Sequence, residues 1–368
     1  MTPTKVFHDE RWLTVSYPDG HTEKYLDTWL RDNTRSGRHV EAGQRTFDIN
    51  RMDDVHIVNS EATDAGIMLR FTNDDTDHFF DETWLRAFAN SSASKRSNTE
   101  TGQTFWGSDL QDRLDFIDYR DISIDDSALG DFLAQVAEFG FGLLNNVPNT
   151  PGTILEVIDL FGYVRNTNYG ELFDVRVEPN PANLAFTSFE VGMHTDNPYR
   201  DPVPGLQLLH CLVNDSDGGE SQLADGFAVA NQMRRVQPAA FQLLLETPVD
   251  FRFYQAGVAD LRHRSPLITM MDETFTEIRY NSRSVQAFDL AVGEMEAFYD
   301  AYRIFGRALH EPSARIEFRL EAGQLMIFDN QRVLHGRSAY EQGTRHLQGS
   351  YADKDSLKSK LLTIGEPK

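Results

Sequence analysis

Two short polar motifs, far apart in the chain, constrain the fold more than any other feature of the sequence. The first is Val191-Gly-Met-His-Thr-Asp-Asn-Pro-Tyr199; the second is Arg332-Val-Leu-His-Gly-Arg337, directly behind the apolar run Leu325-Met-Ile-Phe-Asp-Asn330. His194 and Asp196 stand two residues apart. On an extended strand this spacing puts both side chains on one face, about 6–7 Å apart. An imidazole and a carboxylate on one face are two thirds of a 2-His-1-carboxylate facial triad, the set that leaves three positions open on iron(II). His335, at the end of an apolar run with Gly336 behind it, is placed to be the buried third ligand. Read singly, His194 and Asp196 also fit two solvated residues at a strand end, and His335 a hydrogen-bonded core histidine. Read together, they require a fold that brings strands from both ends of a domain to one point.

A fourth residue narrows the chemistry. Arg345, in Gly343-Thr-Arg-His-Leu347, follows ten residues after His335. Its planar guanidinium suits the far carboxylate of a bound dicarboxylic acid, because the fork pairs bidentately. Charge then excludes several partners. With 35 Lys and Arg against 57 Asp and Glu the net charge is −22, which argues against a nucleic-acid or anionic-membrane partner and does not repel a small cation. The single cysteine, Cys211, rules out an intrachain disulfide and a cysteine-rich zinc cluster. The first residues hold no apolar leader, and no run of eighteen apolar residues occurs. The expectation is a soluble, cytoplasmic enzyme acting on a small molecule.

Taken in order, Trp12 to Tyr17 and His21 to Leu26 flank Pro-Asp-Gly and predict a hairpin. Val55 to Val58 and Gly66 to Phe71 predict further strands, so residues 1–90 form a small β-rich domain. Residues 91–104 are polar, with almost no apolar residues, and read as a linker. In residues 105–368, Leu129, Phe132, Leu133, Val136 and Phe139 have helical spacing with Gly140 as a stop, and Pro151 opens a second helix through Phe161. Phe141 to Leu144 and Gly205 to Leu212 predict core strands. Phe227 to Val236, Pro238 to Leu245 and Val292 to Leu309 predict helices, and Arg315 to Leu320 with Leu325 to Asp329 a hairpin. Strands outnumber helices, and the candidate ligands sit on strands from both ends of the domain. The fold class is therefore mainly β with outer helices: a double-stranded β-helix of jelly-roll type behind a small β-rich domain.

Several stretches resemble the γ-butyrobetaine dioxygenase family of iron(II)/2-oxoglutarate oxygenases. They are Leu30-Arg-Asp-Asn33, Trp106-Gly-Ser-Asp-Leu110, Gly205 to Cys211, Phe328-Asp-Asn330, His335-Gly-Arg337 and Gly349-Ser-Tyr-Ala-Asp353, beside the His-x-Asp, His and Arg pattern itself. The resemblance covers nearly the whole chain. It implies iron(II) held by His194, Asp196 and His335, 2-oxoglutarate anchored by Arg345, O2 as the second cosubstrate, and a homodimer. It also implies a trimethylammonium substrate in an aromatic cage of Tyr169, Phe173, Phe186 and Tyr351, with Asn183 and Asn281 at the substrate's anionic end.

Two departures from the family pattern carry expectations of their own. The family's small domain binds zinc through three cysteines and a histidine, whereas Asn33 to His39 contains no cysteine, with only His78 at a suitable distance. Zinc is therefore not expected there. Beside Asn281, Arg283 adds a cation, which suits a phosphonate with its greater charge and three acceptor oxygens. The favoured substrate at this level is 2-(trimethylammonio)ethylphosphonate, hydroxylated at the carbon bearing phosphorus. The alternative is γ-butyrobetaine hydroxylated to carnitine. Readings from other classes are a zinc hydrolase on the same three ligands and a non-catalytic betaine-binding module; the complete triad with Arg345 counts against both.

Overall fold

The computed structural model describes residues 5–17, 19–72, 74–88, 102–179 and 186–365. The chain divides into two compact units, Met1–Asn98 and Thr99–Lys368. Most of the expected linker, 91–104, lies outside the described residues. Among the described residues no helix is long and apolar enough to cross a membrane.

The first unit carries two antiparallel sheets. One is β1 (Lys5–Asp9), β2 (Trp12–Ser16) and β3 (Thr22–Leu26); the other is β4 (Ile57–Ala62), β5 (Gly66–Phe71) and β6 (His78–Asp81). Leu13 and Val15 alternate inward along β2 and Ile67, Leu69 and Phe71 along β5, and these meet in one core. The strand expected at Val55 begins at Ile57. Two short helices, α1 (Asp27–Asp32) and α2 (Glu82–Ala87), follow β3 and β6; Asp81 caps α2 through the amides of Thr83 and Trp84. His78 is held on both sides, by Ser36 Oγ at 3.1 Å and Asp74 Oδ2 at 2.8 Å, and Asp74 also pairs with Arg31 at 3.1 Å.

The second unit is a double-stranded β-helix. Its strands are β7 (Phe116–Asp118), β8 (Phe141–Asn145), β9 (Phe173–Val175), β10 (Val191–His194), β11 (Leu206–Asn214), β12 (Ser221–Asp225), β13 (Val249–Gln255), β14 (Ala259–Ser265), β15 (Ile268–Met271), β16 (Thr274–Ile278), β17 (Arg315–Phe318), β18 (Leu325–Asp329), β19 (Val333–Arg337) and β20 (Arg345–Ala352). One sheet runs β7-β8-β18-β11-β20-β9 and the facing sheet β10-β19-β12-β17, while β13-β14 and β15-β16 are separate ribbons. Alternation along the strands makes two apolar layers. Leu209, Cys211, Leu223, Ile316, Met326 and Phe328 fill the space between the sheets. Leu206, Leu208, Leu325 and Ile327 point outward and pack on α4 (Asp126–Phe139) and α5 (Thr153–Asp159), behind the short α3 (Tyr119–Ile122). Fully burying each such side chain is worth roughly 1.5–3 kcal/mol. Helix α4 ends where predicted, at Gly140 with φ 79°, and starts after Asp125, which caps the amide of Ser127. Helices α6 (Gly226–Val236), α7 (Pro238–Glu246) and α8 (Val292–His310) pack together in a further apolar cluster, and α9 (Lys354–Thr363) closes the chain.

Two expectations are corrected. Helix α5 starts at Thr153, because Pro151-Gly152 make a turn in which Gly152 sits at φ 95°. Strands β17 and β18 do not form a hairpin. β17 pairs with β12, and β18 with β8 and β11, so the turn at Gly323 (φ 82°) carries the chain from one sheet to the other. Ile316 and Phe318 on β17 thus meet Met326 and Phe328 on β18 within the apolar layer between the sheets, where both strands hide their apolar residues.

Candidate active site

The antiparallel pairing of β10 with β19 puts His194 directly opposite His335, with ring centroids 4.1 Å apart. Asp196 reaches them by a different route from the one expected. β10 ends at His194, so Asp196 is not on the strand; the chain turns after it, with Asn197 in the left-handed region at φ 57°. The turn brings Asp196 Oδ1 to 3.2 Å from His194 Nε2 and Oδ2 to 4.0 Å from His335 Nε2. One ligand atom from each of the three residues lies within 4.8 Å of the others.

The turn is held by the backbone. Asn330 Oδ1 accepts from the Asp196 amide at 2.7 Å, while its Nδ2 donates to the Asp196 carbonyl at 2.9 Å and to Pro204 at 3.1 Å. Asn281 Nδ2 donates to the Thr195 carbonyl at 3.0 Å, and the Thr195 amide donates to the Tyr280 carbonyl at 2.8 Å. His194 Nδ1 donates to the Gly192 carbonyl at 2.9 Å, which leaves Nε2 as the metal-facing lone pair. Burial lowers the pKa of both histidines, so both are neutral at pH 7, the form that ligates. Burial alone would raise the Asp196 carboxyl. The contact with His194 and the charge of Arg283 outweigh it and hold the group well below the usual carboxylate range. Two imidazole nitrogens and one carboxylate oxygen, with no thiolate, fit iron(II).

The triad opens into a cavity of about 470 Å³. Arg345 lines it, buried, and its guanidinium makes no hydrogen bond or ion pair among the described residues. Burial, helped by Arg337, pushes its pKa down to about 10, so it remains a cation at neutral pH. Ser221 Oγ, also buried and lining the cavity, has no partner either. An unpaired buried cation beside a free hydroxyl fits the carboxylate of 2-oxoglutarate.

Aromatic rings make up another part of the wall. Phe173 lies 6.1 Å from Tyr169 and 5.1 Å from Tyr351, centroid to centroid. Phe186 lines the same cavity, and Asn183 lies outside the described residues. Asn281 lines it too, yet both ends of its amide are engaged, with Thr195 and with the Arg283 amide at 3.0 Å. The Arg283 guanidinium, at the rim, has no partner among the described residues; desolvation lowers its pKa and Asp196 partly offsets this.

Several cavity residues were not singled out from the sequence. Gln207 donates to Asp196 Oδ2 at 2.9 Å; its one signal is a polar residue inside the apolar run from Gly205 to Leu212. Phe253 lies 5.8 Å from Tyr169 and 5.3 Å from Tyr199. It stands on the ribbon strand β13, whose alternation of Val249, Phe251 and Phe253 was a legible signal. Tyr199 donates to Asn197 Oδ1 at 2.6 Å.

A jelly-roll barrel that aims two histidines and an aspartate into a cavity, with a free buried arginine for a dicarboxylate, is the build of iron(II)/2-oxoglutarate-dependent dioxygenases. This chain is one of them, with iron(II), 2-oxoglutarate and O2 as its cofactors. Residues 101–351 match the taurine catabolism dioxygenase TauD, TfdA family, and residues 4–86 match the gamma-butyrobetaine hydroxylase-like N-terminal domain. The chain belongs to the TauD/TfdA dioxygenase family. The gamma-butyrobetaine dioxygenase of Pseudomonas sp. (strain AK-1) is 35% identical over 96% of this chain and 93% of its own. That of Pongo abelii is 29% identical over 96% and 94%, and that of Homo sapiens 32% identical over 71% and 68%. Membership sets aside the zinc-hydrolase and binding-module readings.

Proposed function

We propose that the substrate is a small trimethylammonium zwitterion, γ-butyrobetaine first among them, hydroxylated at an unactivated carbon. One observation carries this reading: the rings of Tyr169, Phe173 and Tyr351 line the cavity that holds the triad, and Tyr351 touches Asp196 through its hydroxyl at 3.0 Å. Ring faces attract a quaternary ammonium, worth about 2 kcal/mol or more in a desolvated site. A cation seated on these rings is held beside the metal ligands. γ-Butyrobetaine takes first place over the phosphonate because the Pseudomonas relative, similar over 96% of this chain, is a gamma-butyrobetaine dioxygenase. A cytoplasmic homodimer belongs to the same proposal.

When bound, iron(II) and 2-oxoglutarate supply the oxidising power of O2, with 2-oxoglutarate converted to succinate and CO2. The chain's own part is position and dryness. His194, Asp196 and His335 hold the metal on one face. Arg345 fixes the far carboxylate of the cosubstrate. The aromatic wall sets which C–H bond of the substrate faces the metal, where a misplacement of about 1 Å costs roughly 100-fold in rate.

The unpartnered Arg283 favours a second substrate, 2-(trimethylammonio)ethylphosphonate. The test is kcat/KM for both compounds in the wild type and in Arg283→Ala. A wild-type preference for γ-butyrobetaine, with the variant lowering both alike, sustains the carboxylate. A preference for the phosphonate that Arg283→Ala removes, by roughly 10-fold for one charged contact at the rim, establishes the phosphonate. Turnover of neither compound overturns the trimethylammonium reading.

A further inference from the structure

We propose that Gln207 and Tyr351 are positioning residues that restrict Asp196 to ligation through one oxygen, and that Tyr351 does so with the side chain whose ring faces the substrate. The proposal rests on the metal and cage readings above. The two carboxylate oxygens of Asp196 are not equivalent. Oδ1 faces His194 Nε2 at 3.2 Å. Oδ2 accepts from Gln207 Nε2 at 2.9 Å and from the Tyr351 hydroxyl at 3.0 Å. Two hydrogen bonds occupy the lone pairs of Oδ2 and leave Oδ1 for the metal. A carboxylate free of such donors can chelate with both oxygens. Chelation would consume one of the three positions that the triad has to keep open for cosubstrate and O2.

Both donors are fixed by the fold. Gln207 on β11 and Tyr351 on β20 are direct cross-strand partners in the larger sheet. Asp196 lies in the turn after β10, a strand of the facing sheet, so the pair spans from one sheet to the other. Gln207 is 2% and Tyr351 3% exposed, so water does not replace either donor. A carboxylate only accepts, so Gln207 has to present its NH2; its Oε1 has no partner, and this hydrogen bond is what its side chain does. The Tyr351 ring meanwhile packs against Phe173 at 5.1 Å. One side chain therefore faces the substrate's cation and holds the metal's ligand.

The experiment uses full-length protein, Tyr351→Phe and Gln207→Leu, with two readouts. Co(II) is titrated into the apoenzyme and followed by its visible absorption, and succinate formed is compared with γ-butyrobetaine hydroxylated. Releasing Oδ2 lets Asp196 chelate, which changes the coordination number and with it the visible spectrum of Co(II); loss of an outer partner of a metal ligand also typically costs 10- to 100-fold in metal affinity, and each variant is expected to show both. Each should also release succinate in excess of hydroxylated product. Tyr351→Phe keeps the ring, so the KM for γ-butyrobetaine is expected to hold while metal affinity falls; general structural damage would move both. Wild-type affinity for Co(II) in both variants overturns the proposal. Should Tyr351→Phe fail to fold, Gln207→Leu decides alone. His335→Ala is the control: if it binds Co(II) as the wild type does, the metal reading fails and this proposal with it. If the wild type turns over no trimethylammonium compound, the cage reading and the double role of Tyr351 fail, and the Co(II) titration still decides the hold on Asp196.

Discussion

At the scale of single residues, Arg345 shows how burial prepares a charge for its partner. The guanidinium lies inside the barrel with no partner, and burial lowers its pKa to about 10 without removing its charge at neutral pH. The cost of that desolvation is recovered when a carboxylate arrives. Arg345→Ala is therefore expected to raise the KM for 2-oxoglutarate. A charge-assisted, bidentate contact is worth roughly 2–3 kcal/mol, or roughly 30- to 150-fold. Steady-state kinetics with 2-oxoglutarate varied at saturating substrate checks this; an unchanged KM removes the arginine from the cosubstrate site.

At the scale of elements, β20 does the most. Alternate residues on one of its faces are Arg345, Leu347, Gly349 and Tyr351, and all but Gly349 line the cavity. The strand thus carries the proposed anchor of the cosubstrate at one end and a ring of the proposed cage at the other. Gly349 pairs with Phe173 on β9, and a Cβ there would stand 2.2 Å from Phe173 Cε2. Gly349→Ala has to displace that ring. Overpacking of this kind costs typically 1–3 kcal/mol, and the KM for the trimethylammonium substrate is expected to rise with the KM for 2-oxoglutarate unmoved. Comparing the two KM values is the check; equal changes in both would mean that the whole strand has shifted.

At the scale of the whole molecule, folding carries a pH dependence to which a buried histidine outside the metal site contributes. His210, on β11, is fully buried and neither ring nitrogen has a partner among the described residues. Burial lowers its pKa to about 4. The unfolded chain takes up this proton below the ordinary histidine value of about 6.5, whereas the folded chain resists until about pH 4. The contribution of His210 to stability is accordingly complete above pH 6.5 and lost as the pH falls from there towards 4, by roughly 2–4 kcal/mol. Urea unfolding across that range, for the wild type and His210→Leu, should show the smaller loss in the variant; identical pH profiles would assign the acid sensitivity to other groups.

The local chemistry was legible along the chain. The spacing of His194 and Asp196, the apolar run before His335 and the arginine at 345 pointed to a candidate metal site and a dicarboxylate partner, because ligand types and short spacings are written residue by residue, and the family resemblance named 2-oxoglutarate. Alternation likewise marked most core strands, since side-chain direction repeats every second residue. What alternation cannot specify is the partner of each strand. β17 and β18, adjacent in sequence, fall in different sheets because burying both apolar faces against each other excludes more water than pairing their edges. The same holds at the metal. Asp196 comes to His194 through a turn pinned by Asn330, and its two oxygens are made unequal by Gln207 and Tyr351. Those partners sit on strands that only the closed barrel brings together, so their roles exist in the tertiary structure and nowhere in the local sequence.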